Sequence, residues 1–167
     1  MKERIVINEV GPRDGLQSQD KHLSCEERTR LVEALLAAGL RHIEVGSFVS
    51  PKAVPQMAGT DALLAALNPP ADAELSVLVP NMKGYELARA AGAGTVAVVV
   101  SATETMNQKN IRMSLEQTLE VARAIIERAR AEGAKIQAYL SVAWECPFEG
   151  AVPADTVIEQ AGMLGIL

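Results

Sequence analysis

Lys135-Ile136-Gln137-Ala138-Tyr139-Leu140-Ser141-Val142 reads as a β-strand with two unlike faces. Successive side chains of a strand point to opposite sides, so Gln137, Tyr139 and Ser141 share one face, while Ile136, Ala138, Leu140 and Val142 share the other. An open doubly wound sheet is covered by helices on both sides and favours strands that are apolar on both faces. Polar groups on one side, near the C-terminal end of a strand packed under helices on its other side, are what a (β/α)8 barrel requires.

The same unit recurs upstream. The β-branched runs Ile5 to Val10, His42 to Ser47, Leu75 to Val79 and Thr95 to Ser101 each lead through Gly, Pro, Asn or Ser punctuation into an amphipathic stretch. Ser24-Cys25-Glu26-Glu27 and Ser114-Leu115-Glu116-Gln117 carry the capping-box spacing, in which serine and the residue three further on satisfy free N–H groups of a helix start. Gly39, and then Gly92 with Gly94, stand where helices should stop, and Gly133 precedes the fifth run. Short helices are expected from about Asp61 to Leu67 and from Asn81 to Ala91, and a last helix opens at Pro153. The segments between Ser101 and Ser114 and from Trp144 to Val152 read as loops. Strict strand-helix alternation implies parallel strands joined by right-handed crossovers. The expected fold class is therefore α/β, of (β/α)8 TIM-barrel type. Residues 1–167 would form one partial barrel covering about the first five βα units.

Composition narrows the function classes. The 167 residues are 49% apolar and 22% charged, which suits a folded domain rather than a disordered tail. With 16 basic against 21 acidic side chains the net charge is −5, and aromatics are 3% of the chain. Neither a phosphate-gripping surface nor a set of stacking platforms is available, so nucleic acid is not an expected partner. The opening Met-Lys-Glu-Arg-Ile-Val-Ile-Asn turns polar too soon for a secretory leader, and the run Thr95 to Val100 is far shorter than a membrane span. No membrane partner is expected. Cys25 and Cys146 lie far apart, which suits a reducing compartment, and a cytoplasmic location is the expectation.

Polar residues gather at the C-terminal ends of the strands, the edge at which parallel α/β folds bind ligands. Glu9, Arg13 and Asp14 end or follow the first run, Glu44 and Ser47 lie in the second, Asn81 follows the third, Ser101 and Glu104 the fourth, and Tyr139 and Ser141 lie in the fifth. Glu44 sits between Ile43 and Val45, where a carboxylate is costly without a cation or donor, so it is either a site residue or half of an ion pair with Arg13. In Gly11-Pro12-Arg13-Asp14-Gly15, proline fixes φ and glycine eases the turn, presenting both charges on a short stiff loop. Asp14 suits a hard divalent cation and Arg13 a developing enolate; alternatively the two neutralise each other.

The string Asn8-Glu9-Val10-Gly11-Pro12-Arg13-Asp14-Gly15-Leu16-Gln17 closely resembles the first-strand signature of the hydroxymethylglutaryl-CoA lyase family. Ser47 to Lys52, Val54 to Met57, Pro80 to Gly84, Gln108 to Ile111 and Cys146 to Gly150 are similar to that family in order and spacing. The resemblance implies a metal-dependent (β/α)8 lyase that cleaves 3-hydroxy-3-methylglutaryl-CoA into acetyl-CoA and acetoacetate. Carried over by position, Asp14 would bind Mg2+ or Mn2+, Arg13 would hold the enolate oxygen, Gln17 and Glu44 would shape the metal and substrate shell, and Tyr139 would line the acyl pocket with Ser47 near the substrate. Lys109 and Asn110 would meet the CoA phosphates or form a solvated rim. The implied partner is a CoA ester, and the complete enzyme would be a homo-oligomer.

Departures stand beside the matches. Val45-Gly46 replaces a pair of small hydroxyl residues, and Ala143-Trp144-Glu145 replaces smaller ones, so the acyl group stays open between this substrate and a related 3-hydroxyacyl-CoA. A barrel takes about 250 residues. The family's histidine pair, later asparagine ligand and cysteine loop would lie beyond Leu167, and the 167 residues alone are expected to have little or no activity. Gly11-Pro12 before Arg13 favours the lyase over a condensing synthase of the same superfamily. A non-catalytic half-barrel scaffold is the alternative from another class.

Overall fold

The computed structural model describes residues 5–165. The strands β1 (Asn8–Glu9), β2 (His42–Ser47), β3 (Glu74–Leu78), β4 (Thr95–Ser101) and β5 (Lys135–Ser141) follow one another in the sheet in chain order. Between them run α1 (Cys25–Ala37), α2 (Thr60–Ala66), α3 (Met82–Ala90), α4 (Glu104–Ile111) and α5 (Leu115–Ala131), and α6 (Ala154–Met163) comes last. The chain divides into two compact units: residues up to Val79 together with Lys83–Val96, and Pro80–Met82 together with the chain from Ala97 onward.

In the first unit, β1 pairs parallel to β2 and β2 parallel to β3. The first run forms a ladder only at Asn8–Glu9, while Ile5, Val6 and Ile7 stand exposed outside it. The glycine-rich segment after it is a π-helical turn, Gly11–Gly15, in which the Arg13 and Asp14 amides donate to the Val10 carbonyl at 3.0 and 2.7 Å. Gly15 adopts no left-handed backbone, so the turn does not depend on that residue's conformational freedom. Helix α1 opens on the expected capping box: the Glu27 amide donates to Ser24 Oγ at 3.1 Å and the Ser24 amide to Glu27 Oε2 at 2.8 Å. Val32 and Leu36 of α1, Leu63 of α2, Ile43 and Val45 of β2 and Val77 of β3 make the unit's core.

One irregularity in β2 sets the positions of two candidate residues. Glu44 lies opposite Ser76 and Gly46 opposite Val77, so Val45 is an extra residue, a β-bulge. Residues opposed across a ladder point to the same side. Glu44 with Ser76 and Ser47 with Leu78 therefore share one face, although Glu44 and Ser47 would lie on opposite faces of a regular strand.

In the second unit the expected loop after β4 contains α4. Its sequence, Glu-Thr-Met-Asn-Gln-Lys-Asn-Ile, has no apolar stripe, and tertiary contacts hold it. Asn107, fully buried, donates to the carbonyls of Ser101 and Thr103 at 2.7 and 2.9 Å and accepts from the Ser101 amide at 3.2 Å. Helix α5 carries the second capping box and buries Leu119, Ala122, Ile125, Ile126 and Ala129, while Leu115 at its start is only half-buried. The expected loop after β5 contains a short antiparallel hairpin, β6 (Glu145–Cys146) and β7 (Gly150–Ala151). Val142, the residue leaving β5, has φ +52°.

Candidate active site

In the first unit, Arg13 joins the two carboxylates singled out from the sequence. Its Nε donates to Glu44 Oε1 and its Nη1 to Asp14 Oδ1, the latter at 2.7 Å. The Glu44 side chain is fully buried, Arg13 is 12% exposed and Asp14 61% exposed, so one guanidinium spans from the core to the solvent edge. Both pairings foreseen as alternatives to a catalytic role are present. They do not exhaust the guanidinium: its Nη2 hydrogens have no partner among the described residues and can meet a ligand. Removing one member of a buried pair leaves an uncompensated charge, which costs about 3–5 kcal/mol.

Glu9 is engaged elsewhere, its Oε1 accepting from the Gly11 amide at 2.6 Å. Gln17 is half-buried just after the π-helical turn. Ser47 and Ser76, on the Glu44 face of the ladder, are buried, and their hydroxyls have no hydrogen-bond partner among the described residues. Such groups are rare in folded proteins and mark places where water or ligand is expected. Ser47 also borders a mainly apolar cavity of about 410 Å3, shared with Phe48, Val49, Met57, Thr60 and Leu87.

In the second unit, Gln137, Tyr139 and Ser141 share a face as their alternation predicts. Tyr139 donates to Gln137 Oε1 at 3.4 Å, and Ser141 to Ser101 Oγ at 3.0 Å. Lys109 and Asn110 are exposed on α4, with Lys109 Nζ 4.5 Å from the centre of the Phe148 ring. Glu104 serves structure: it accepts from the Leu115 amide at 2.7 Å and from Gln108 at 2.9 Å, and these bonds hold its carboxyl below the usual range. Cys146 is buried. Burial pushes its thiol up, but hydrogen bonds from Thr103 and from the Phe148 and Glu149 amides outweigh it and leave the thiol below its ordinary value. His22 is exposed and His42 begins β2.

No group of three or more His, Cys, Asp or Glu side chains among the described residues is placed to hold a metal ion. Asp14 has one accessible carboxylate oxygen, and Glu44 is engaged by Arg13, so these residues could offer a cation one ligand but would not complete a metal centre. Sequence reasoning missed Ser76 and Arg28, the latter a buried cation behind β2. A glycine inside a strand, Gly46, was the available signal, since it often marks a bulge or a close approach.

The HMGL-like family model matches residues 4–166. The chain is 41% identical over 152 residues to the 3-hydroxy-3-isohexenylglutaryl-CoA/hydroxy-methylglutaryl-CoA lyase of Pseudomonas aeruginosa, covering 91% of this chain and 51% of that protein. It is 40% identical over 162 residues to the hydroxymethylglutaryl-CoA lyase of Pseudomonas mevalonii, covering 97% of this chain and 54% of that one. The crystal structure of the Pseudomonas aeruginosa hydroxymethylglutaryl-CoA lyase superposes with a TM-score of 0.93 at 40% identity, over 98% of this chain and 54% of that one. An Acinetobacter baumannii HMG-CoA lyase in complex with coenzyme A and 3-methylmalate gives 0.86 at 30% identity, over 96% and 53% of the two chains. This chain thus spans about half the length of the relatives it matches. Its βα units are part of a (β/α)8-barrel type fold, as the alternation of β5 and the strand order indicate. By sequence along nearly its whole length and by backbone, the chain belongs to the HMGL-like family.

Proposed function

We propose that these residues serve the cleavage of 3-hydroxy-3-methylglutaryl-CoA into acetyl-CoA and acetoacetate by a divalent-metal-dependent lyase. The observation that carries the reading is the Arg13 guanidinium, anchored by buried Glu44 on one side and reaching solvent-facing Asp14 on the other. In the retro-Claisen reaction the tertiary hydroxyl loses its proton, its oxygen forms the C=O bond of acetoacetate as the C2–C3 bond breaks, and the released electron pair becomes the acetyl-CoA enolate, which a proton then converts to acetyl-CoA. A fixed guanidinium lowers the energy of that enolate oxygen without reorganising. Glu44 holds Arg13 in place, and the Nη2 hydrogens would be the donors offered to the enolate oxygen. Asp14 would be the ligand that this chain gives to Mg2+ or Mn2+, a cation that supplies Lewis acidity at the substrate oxygens. Gln17 and Ser47 would contact the substrate, Tyr139 would line the acyl pocket, and Lys109 and Asn110 would meet the CoA phosphates. Coenzyme A bound to the Acinetobacter relative supports a CoA-ester substrate. Two free cysteines support a cytoplasmic location.

The Pseudomonas aeruginosa relative, a 3-hydroxy-3-isohexenylglutaryl-CoA/hydroxy-methylglutaryl-CoA lyase, favours a second reading, a lyase for a bulkier 3-hydroxy-3-alkylglutaryl-CoA. Acetoacetate release from 3-hydroxy-3-methylglutaryl-CoA with Mg2+ tests the first, and acetyl-CoA release from the bulkier thioester tests the second. The 167 residues alone are expected to turn over little, since the described part supplies one carboxylate ligand. Arg13→Gln in an active full-length form should lower kcat while leaving CoA-ester binding in place. An unchanged kcat removes Arg13 from the mechanism.

A further inference from the structure

Arg28 is among the largest fully buried side chains, 1% exposed, and no carboxylate among the described residues pairs with it. A buried cation without a counter-ion is expensive, so the bonds it makes should define its purpose. Arg28 Nη1 donates to the Ala58 carbonyl at 2.9 Å. Its Nη2 points at the Val45 carbonyl, 3.4 Å away, and at Thr60 Oγ1, 3.3 Å away, while that hydroxyl donates to the Met57 carbonyl at 2.8 Å. One side chain of α1 thus ties the turn before α2 to the single bulged residue of β2.

The neighbouring residue fits this arrangement. A Cβ on Gly46 would stand 2.7 Å from Thr60 Oγ1 and 2.8 Å from Arg28 Nη2. Glycine at 46 therefore provides the space in which the guanidinium reaches the bulge, and β2 at Gly46 faces α1 and α2. On the opposite face, past the same bulge, lie Glu44 and Ser47. Without the extra residue, one of the two would turn away from the other.

We propose that Arg28 is a positioning residue for the candidate site: its guanidinium, seated over Gly46, fixes the β2 bulge that brings Glu44 and Ser47 onto one face. What that face serves rests on the lyase reading, but the bulge and its clamp do not. Arg28 acts through Val45 and touches no reacting atom.

Nuclear magnetic resonance on the intact chain tests this without turnover, so failure of the lyase reading leaves the result interpretable. Two signals are read. One is exchange of the Phe48 amide, which donates to the Leu78 carbonyl at 2.8 Å just past the bulge, against that of the Ala91 amide, bound to the Leu87 carbonyl at 3.0 Å in the same unit. The other is the Nε–H resonance of Arg13, whose proton is held by Glu44. Arg28→Met keeps the length and loses the donors; it should speed Phe48 exchange about tenfold beyond any change at Ala91 and remove the Arg13 signal. Arg28→Lys, which can still donate, should restore both to within about threefold. Equal acceleration of the two amides, or an Arg13 resonance that survives in Arg28→Met, would overturn the proposal and leave Arg28 a packing residue. Should Arg28→Met fail to fold, Gly46→Ala pushes on the clamp from the other side: the same two losses support the proposal, and their absence refutes it.

Discussion

Strands β2 and β5 both carry polar side chains on one face, yet they are built in opposite ways. Every residue of β2 from Ile43 to Ser47 is buried, whereas those of β5 from Ile136 to Ser141 are only half-buried. Glu44 in β2 is locked to Arg13, and the strand around it is bulged and backed by Arg28. Tyr139 in β5 donates to Gln137 of the same strand over a long 3.4 Å bond. The difference teaches that the charge-bearing part of the candidate site is fixed by contacts within its own unit, between neighbouring elements, whereas the polar contact of Tyr139 with Gln137 stays within one strand.

The sharpest way to break this contrast is Arg13→Ala. It removes the cation that Glu44 accepts from in the core and should cost about 3–5 kcal/mol in urea unfolding. A loss below about 1 kcal/mol would show that Glu44 is not committed as described. Next comes Asn107→Ala, which unties α4 from β4 and leaves buried backbone groups unpaired. About 2 kcal/mol is expected, and its measurement shows whether the second unit has an equally committed polar residue. Tyr139→Phe, which removes the 3.4 Å bond to Gln137, should change stability by less than about 1 kcal/mol, and a larger loss would mean that this hydroxyl is held more firmly than that bond alone implies.

The smallest effect is pH-dependent and local. Hydrogen bonding to the Leu115 amide, then to Gln108, lowers the Glu104 pKa. A carboxyl with a folded pKa below its unfolded one adds stability that is complete above the unfolded value, near pH 4, and lost as pH falls through the folded value. Thermal melts should therefore show a slight loss of stability below about pH 4 that Glu104→Gln diminishes. Glu27 behaves in the same sense through its bond to the Ser24 amide, so a Glu104→Gln variant keeps that residual slope.

How far the sequence revealed these features depends on whether local chemistry or packing decides them. His42–Ser47 and Thr95–Ser101 are strands as read, and both capping boxes close on the residues that announced them, because β-branched runs and serine caps act locally. The first run shrinks to Asn8–Glu9, since a ladder needs a neighbour and Ile5 to Ile7 lack one among the described residues. Helix α4 escapes a local reading because Asn107 within it is anchored to Ser101 and Thr103, 4 to 6 residues back, by contacts that tertiary geometry sets. At the site, the coupling of Arg13 with Glu44 was legible from the cost of an isolated carboxylate. The extra residue at Val45 was not, because a bulge is an agreement between two strands and only its glycine shows in one.

Val142 gives the exit from β5 a character of its own. A branched Cβ at φ +52° collides with the neighbouring carbonyl, a conformation worth roughly 1–3 kcal/mol against the fold. Glycine would relax that corner and at the same time let it swing through many bends. Valine admits few, so the segment carrying Trp144 departs from β5 along a narrow set of trajectories.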